Sequence, residues 1–105
     1  MEGLENQIFE IITHAGTARA NLYEALEATR NGDDAQSETL MKAAADEMTL
    51  AHNVQTQLIT ADLDGGTDIS LLLIHAQDQL MTTMSEQTLI EQMIKMQQEI
   101  NQLKA

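Results

Sequence analysis

The chain has 105 residues, with 17 Asp and Glu against five Lys and Arg, a formal net charge of -12, and neither Pro nor Cys. The length fits one domain, expected over residues 1–105. Disulfides, thiolate metal sites, cysteine nucleophiles and proline breaks are excluded, and the negative charge disfavours binding to nucleic acid or anionic lipid. No run of about 18 uncharged apolar residues occurs, so we expect no membrane insertion.

The first predicted element is an amphipathic helix over about residues 2–30. Its apolar residues recur at three- and four-residue steps, the period of one helix face; they include Leu4, Ile8, Ile11, Ala15, Leu22 and Leu26. A tight turn follows, because Gly32 suits a left-handed C-terminal cap and Asp33 and Asp34 suit the next N-cap. Two antiparallel helices are therefore expected to meet here.

The second helix is predicted over about residues 34–61. Its wide apolar face is rich in alanine, which permits close helix approach. Residues 62–68, which include adjacent glycines and three acids, are expected to form a loop. Either Thr67 or Asp68 would then cap the third helix.

The third helix, over about residues 68–104, carries more than one apolar stripe. Leu72, Leu73, Ala76, Leu80, Ile90 and Ile94 form one side, whereas Leu71, Ile74, Met81 and Met84 point toward another. A helix with two apolar surfaces is expected to pack on a second subunit as well as on its own. The fold class is therefore all-α, an antiparallel three-helix bundle subunit that assembles further, with its methionines expected to fill the core.

His75 and Asp78 are the residues of the third helix with chemical potential. They are three residues apart, about one helical turn, and so share a face. Asp78 lies among Leu71, Ile74 and Met81, and a carboxylate in apolar surroundings must be paired, protonated or metal-bound. If the third helix lines a symmetry axis, the Asp78 carboxylates of three subunits would converge there and could hold a hard divalent cation such as Mg²⁺. The alternative is a solvent-exposed Asp78 at the edge of the stripe and a His75 without a special role.

The other two histidines are predicted to be structural. His14 lies beside the apolar face of the first helix, flanked by Thr13 and Ala15. His52 lies on the meridian of Met41, Met48 and Ile59, so a hydrogen-bonded core histidine is expected. The sequence contains no phosphate-binding loop around Gly65 and Gly66 and no hydrolase motif.

Three stretches of the sequence resemble a known family. Residues 71–82 read L-L-L-I-H-A-Q-D-Q-L-M-T, and residues 16–19 and 51–59 precede them in the same order. They resemble the IIA component of the lactose/cellobiose/chitobiose class of the bacterial sugar phosphotransferase system. The stretch over residues 71–82 is specific, because apolar, imidazole, amide and carboxylate residues must occur in this order within one helix.

The resemblance implies a cytoplasmic homotrimer of three-helix subunits that acts as a phosphocarrier. His75 would accept a phosphoryl group from the general phosphocarrier HPr and pass it to a cysteine of the cognate IIB protein or domain, during uptake of a disaccharide. An aspartate matching Asp78 would bind a divalent metal ion, expected to be Mg²⁺, at the trimer axis. Gln77 or Gln79 could orient the ring or the phosphoryl group, although the family is expected to carry a second histidine where Gln79 stands.

Two other classes of function fit parts of the sequence. An acidic, self-associating three-helix chain would serve equally well as a non-catalytic adaptor or scaffold, and only the motif at residues 75–82 discriminates against it. A metal-dependent enzyme that uses His75 and Asp78 is disfavoured, because two ligands per chain with no third at helical spacing make a poor catalytic site.

Overall fold

The computed structural model describes residues 2–105, and Met1 of the predicted domain lies outside them. Three helices follow one another: α1 over Glu2–Arg30, α2 over Asp34–Gly65 and α3 over Leu71–Lys104. They run up, down and up as an elongated bundle with extents of 59 × 19 × 17 Å. The predicted all-α three-helix subunit is confirmed. None of the helices in the described chain is long and apolar enough to cross a membrane.

Helix α1 forms the packing surface for both other helices. Its buried face combines large and small apolar side chains; it comprises Ile8, Ile11, Ala15, Ala18, Leu22 and Ala25. The fully buried alanines let the neighbouring backbones approach closely, and α2 and α3 each pack extensively on α1. In contrast, α2 and α3 touch each other in few places, and grooves remain between them.

The turn between α1 and α2 has the predicted chemistry. Gly32 has a φ of +81°, a left-handed conformation that a side chain would strain. Asp33 caps α2, because its side chain accepts a hydrogen bond from the Gln36 backbone N–H at 3.1 Å. Beneath the turn, the buried Thr29 hydroxyl donates to Ser37 Oγ at 2.6 Å. The predicted tight connection is therefore confirmed.

The second connection is shorter than predicted, since the expected loop over residues 62–68 is partly wrong. Helix α2 continues through Gly65 and ends at Gly66, whose φ is +80°. Asp62 favours this extension because its carbonyl accepts from the Gly66 N–H at 2.8 Å and its carboxylate from the Thr67 N–H at 2.8 Å. A single glycine thus ends the helix, and one glycine is tolerated within its last turn.

Helix α3 also begins later than predicted, and its cap is neither Thr67 nor Asp68. Ser70 has an extended backbone, and its hydroxyl accepts the Leu73 N–H at 3.1 Å. Ser70 stands directly before the leucine run of residues 71–73, so it, rather than Thr67 or Asp68, is the N-cap of α3. His75 is consequently placed in the second turn of α3.

The two apolar stripes of α3 are confirmed. Ala76, Leu80, Ile90 and Ile94 are buried, whereas Leu71, Ile74, Met81 and Met84 are exposed in the single chain. The prediction that methionines fill the core is wrong for α3, because Met81, Met84, Met93 and Met96 all lie on its exposed surface. The stripe that faces away from α1 therefore remains available for a further contact.

The buried face of α1 predicts a sharp contrast between two identical substitutions. Ile11 is completely buried, so Ile11→Val should lower the free energy of unfolding by about 0.5–1.5 kcal/mol. Ile69 is 76% exposed, and Ile69→Val should change it by less than about 0.5 kcal/mol. Urea unfolding followed by circular dichroism measures both, and equal losses would contradict the assigned core.

Candidate functional site

His75 is accessible near one end of the bundle. It lies between the exposed Ile74 and the fully buried Ala76, so the packing of Ala76 against the core holds its backbone while its side chain is exposed. Side chains of a helix lean toward its N-terminus. The imidazole therefore projects toward the first turn of α3, where the helix dipole is positive.

Gln77, the second predicted catalytic residue, faces α2. Its Oε1 accepts a hydrogen bond from Gln55 Nε2 at 2.7 Å, across the otherwise sparse contact between α2 and α3. Gln77 is half-buried, in contrast with the exposed His75. Its amide oxygen is thus committed to holding the two helices together.

Asp78 is exposed and borders an apolar groove between α2 and α3. The groove has a volume of about 320 Å³, and its walls include Leu58, Leu73 and Ile74, with Asp62 on the opposite side. Within residues 2–105, no three His, Cys, Asp or Glu side chains gather into a group that could hold a metal ion. A divalent cation fits Asp78 only if further copies of the chain bring their own carboxylates to it.

A polar network joins α1 to α3 on the face that carries His75. Arg19 Nε donates to Glu86 Oε2 at 2.7 Å, and Arg19 Nη2 donates to Thr82 Oγ1 at 2.6 Å. The Tyr23 hydroxyl donates to the other oxygen of Glu86. Both carboxylate oxygens of Glu86 are therefore engaged. The hydrogen bond to Glu86 raises the pKa of Tyr23, and partial desolvation of the phenol raises it further.

The remaining histidines differ in how they match their predicted structural role. His14 Nδ1 lies 2.5 Å from Glu47 Oε2, so the ring joins α1 to α2. The prediction of a core histidine at position 52 is wrong, because His52 is exposed and borders a groove with Met48 and Met84. The buried face of α2 follows Met48, Ala51 and Leu58, and this packing turns position 52 away from α1.

Sequence reasoning missed the partners of these side chains. Arg19 and Glu86 are 67 residues apart, and Gln55 and Gln77 are 22 apart, so helical spacing could not pair them. One signal was present in the composition, since residues 43–94 contain no Lys or Arg and Arg19 is the first cation of the chain. An isolated cation in such an acidic sequence favours a carboxylate partner.

Comparison with known proteins identifies the family. The family model described as "PTS system, Lactose/Cellobiose specific IIA subunit" matches residues 6–98. The chain belongs to this family. The matched span includes His75, Gln77, Asp78 and the whole Arg19 network, so the resemblance inferred from three short motifs extends to nearly the full chain.

Relatives of this IIA chain agree with that assignment. The lichenan-specific phosphotransferase enzyme IIA component of Bacillus subtilis is 35% identical over 102 residues, which cover 96% of this chain and 93% of the relative. The crystal structure of the cellobiose-specific enzyme IIA from Bacillus anthracis superimposes with a TM-score of 0.89 at 35% identity, covering 92% of this chain and 90% of that one.

A third similar structure is a complex. The IIA(Chitobiose) protein of the Escherichia coli phosphotransferase system, solved with HPr, gives a TM-score of 0.81 at 37% identity and covers 97% of both chains. This chain is thus a IIA component of the sugar phosphotransferase system by sequence and by fold, and such components are phosphotransfer proteins.

The bond between Tyr23 and Glu86 predicts an effect on a single optical signal, because Tyr23 is the only tyrosine of this IIA chain. Ionisation of Tyr23 would remove the donated proton and place a phenolate beside a carboxylate, so the pKa of Tyr23 is raised. The Tyr23–Glu86 hydrogen bond therefore stabilises the fold at lower pH, and this stabilisation is lost as the pH rises through the raised pKa. Glu86→Gln should lower the pKa of Tyr23 toward its ordinary value.

Alkaline titration of the phenolate absorbance measures this pKa directly. Glu99→Gln, at an exposed position further along α3, is the matched control and should leave the titration unchanged. If Glu86→Gln and Glu99→Gln titrate together with the wild type, the Tyr23–Glu86 contact is not formed in solution.

Proposed function

We propose that this IIA component accepts a phosphoryl group from phospho-HPr on His75 and passes it to a cysteine of its cognate IIB protein in the cytoplasm. The observation that carries the proposal is the exposed His75 within the family motif, on a backbone held by the buried Ala76 and Leu80. A phosphocarrier needs a nucleophile that two large proteins, the donor and then the acceptor, can reach one after the other. His75 meets that requirement, whereas His14 is engaged with Glu47.

The chemistry suits an imidazole that acts without a cofactor. A neutral ring nitrogen of His75 attacks the phosphorus of the donor phosphohistidine, so one N–P bond forms as the other breaks and the bonding electrons return to the donor imidazole. In the second transfer, the IIB thiolate attacks the phosphorus and the electron pair returns to His75. Such transfers depend on positioning and on donors to the phosphoryl oxygens.

The charge distribution supports a basic partner. Because the chain carries a net charge of -12 and residues 43–94 contain no Lys or Arg, the surroundings of His75 attract a positively charged surface. The similar IIA(Chitobiose) protein was solved together with HPr, which supports HPr as the donor for this chain. Association should slow as salt screens the attraction.

The transported sugar belongs to the lactose/cellobiose/chitobiose type of disaccharide. Similar IIA proteins are named for lichenan, cellobiose and chitobiose, although their chains align over nearly the same length. This diversity is expected if the carrier never contacts the sugar and specificity resides in the membrane component.

The working carrier is a homotrimer built around α3. The stripe of α3 that faces away from α1 exposes Leu71, Ile74 and Met81, and three copies would bury these residues against one another. Asp78 lies on the same stripe, so three carboxylates would meet and need a compensating cation. Mg²⁺ is the proposed ion, since it prefers oxygen ligands.

Replacement of His75 tests the phosphocarrier directly. His75→Ala should abolish phosphoryl transfer from phosphoenolpyruvate through enzyme I and HPr, whereas His52→Ala removes another exposed imidazole and should leave transfer unchanged. Mass spectrometry counts the phosphoryl groups bound per chain, and circular dichroism verifies that both variants are helical. Stoichiometric phosphorylation of His75→Ala would refute the assignment.

Replacement of Asp78 tests the metal-bearing trimer. Asp78→Leu should remain trimeric without metal, because an apolar residue removes the repulsion that the cation otherwise offsets, while the wild type should lose stability on chelation. Asp64→Leu, a change of the same charge at an exposed position of α2, should still respond to chelation like the wild type. Light scattering that finds monomers in the metal-replete wild type would exclude the axial site.

A further inference from the structure

Helix α3 is held unevenly at the level of His75. Ala76 and Leu80 are completely buried in the core and Leu72 and Leu73 are partly buried against it, but α2 and α3 touch each other in few places. Alanine has no side-chain atoms beyond Cβ, and apolar contacts are non-directional. The apolar contacts within one subunit, and those proposed at the trimer axis, therefore restrain rotation of α3 about its own axis less closely than directional contacts do.

Two polar contacts restrain that rotation from opposite sides. On a helical wheel, the buried positions 76 and 80 separate Gln77 from the face that carries Thr82 and Glu86. Gln77 is tied to Gln55 of α2, and Thr82 and Glu86 are tied to Arg19 of α1. Rotation of α3 in one direction stretches the Gln77–Gln55 contact, and rotation in the other direction stretches the contacts with Arg19. Together the two contacts fix the rotational orientation of α3 about its own axis.

The Arg19 contact reaches the turn of His75 itself. The Thr82 hydroxyl accepts from Arg19 and donates to the carbonyl oxygen of Asp78 at 2.8 Å, three residues after His75. Close approach of the helices at this level is allowed by Gly16, where an added Cβ would lie 3.2 Å from Nε2 of Gln79. The network is therefore attached to the segment whose orientation decides where the imidazole points.

We infer that Arg19 and Gln55 are positioning residues that together aim the imidazole of His75 for phosphoryl transfer. The inference rests on the proposed phosphocarrier function. A side chain at a radius of about 6 Å moves by about 1 Å when its helix rotates by about 10°. A misplacement of about 1 Å can cost about a hundredfold in rate, because in-line transfer requires aligned reacting atoms.

Two single variants and their combination test the inference. Arg19→Ala and Gln55→Ala should each lower the first-order rate of transfer from saturating phospho-HPr by about tenfold. The concentration for half-saturation should stay unchanged, since the rate within the complex is affected. The double variant should lose more than the product of the single losses, because each contact alone still limits rotation in one direction.

Asn101→Ala is the matched control for loss of a contact between α1 and α3. Asn101 Nδ2 donates to the Thr29 carbonyl oxygen at 2.7 Å, 26 residues beyond His75 along the rod. This variant should lose stability without a change in transfer rate. If Arg19→Ala fails to fold, Arg19→Lys, which retains the charge but not the paired donors, should show a smaller loss of rate.

A second readout separates this inference from the proposed function. Nuclear magnetic resonance of the unphosphorylated chain should show one sharp set of ring signals for His75 in the wild type and broadened signals in the double variant. A wild type that accepts no phosphoryl group defeats the phosphocarrier function, and the ring signals still test the orientation. Unchanged ring signals of His75 in the folded double variant would overturn the inference. A transfer rate of the double variant equal to that of Asn101→Ala would overturn it as well.

Discussion

Helix α1 provides the surface on which both other helices pack, and the remaining structure depends on this arrangement. Its buried alanines, Ala15, Ala18 and Ala25, bring α2 and α3 close to one backbone without bringing them close to each other. The apolar stripe of α3 that points away from α1 consequently remains exposed. A bundle of this kind has a complete core on one side and an exposed apolar face on the other.

The same constraint gives the polar residues their importance. Where apolar packing is broad, as along α1 and α2, a lost hydrogen bond shifts little else. At the level of His75, where α3 rests mainly on α1, the contacts of Arg19 and Gln55 are directional supplements to a thin core. Polar contacts between helices add specificity of geometry rather than much free energy.

Local signals predicted the helices well and their ends less well. The turn at Gly32 was predicted because this glycine is followed directly by two acids that suit an N-cap, Asp33 and Asp34. The second connection was harder, since residues 62–70 offer two glycines and several capping side chains, and only the hydrogen bonds of the folded chain decide among them. His52 was misplaced for a similar reason: one step around a helix separates a buried position from an exposed one.

The candidate site divides in the same way. The motif around His75 lies within one helix, so sequence alone could indicate it. The pairs Arg19 with Glu86 and His14 with Glu47 join residues that are far apart in the sequence, and only the packing of helices brings them together. Tertiary contacts of this kind leave no periodic trace.

The acidic surroundings of His75 also have a thermodynamic meaning. With no Lys or Arg in residues 43–94 and with Arg19 already shared by Glu86 and Thr82, the side chains of this segment offer an added dianion little compensation beyond that of the α3 dipole. If His75 carries the proposed phosphoryl group, weak compensation of this kind favours onward transfer of that group. Such a site is suited to holding a phosphoryl group transiently. A partner that supplies its own cations would then determine when the group is transferred.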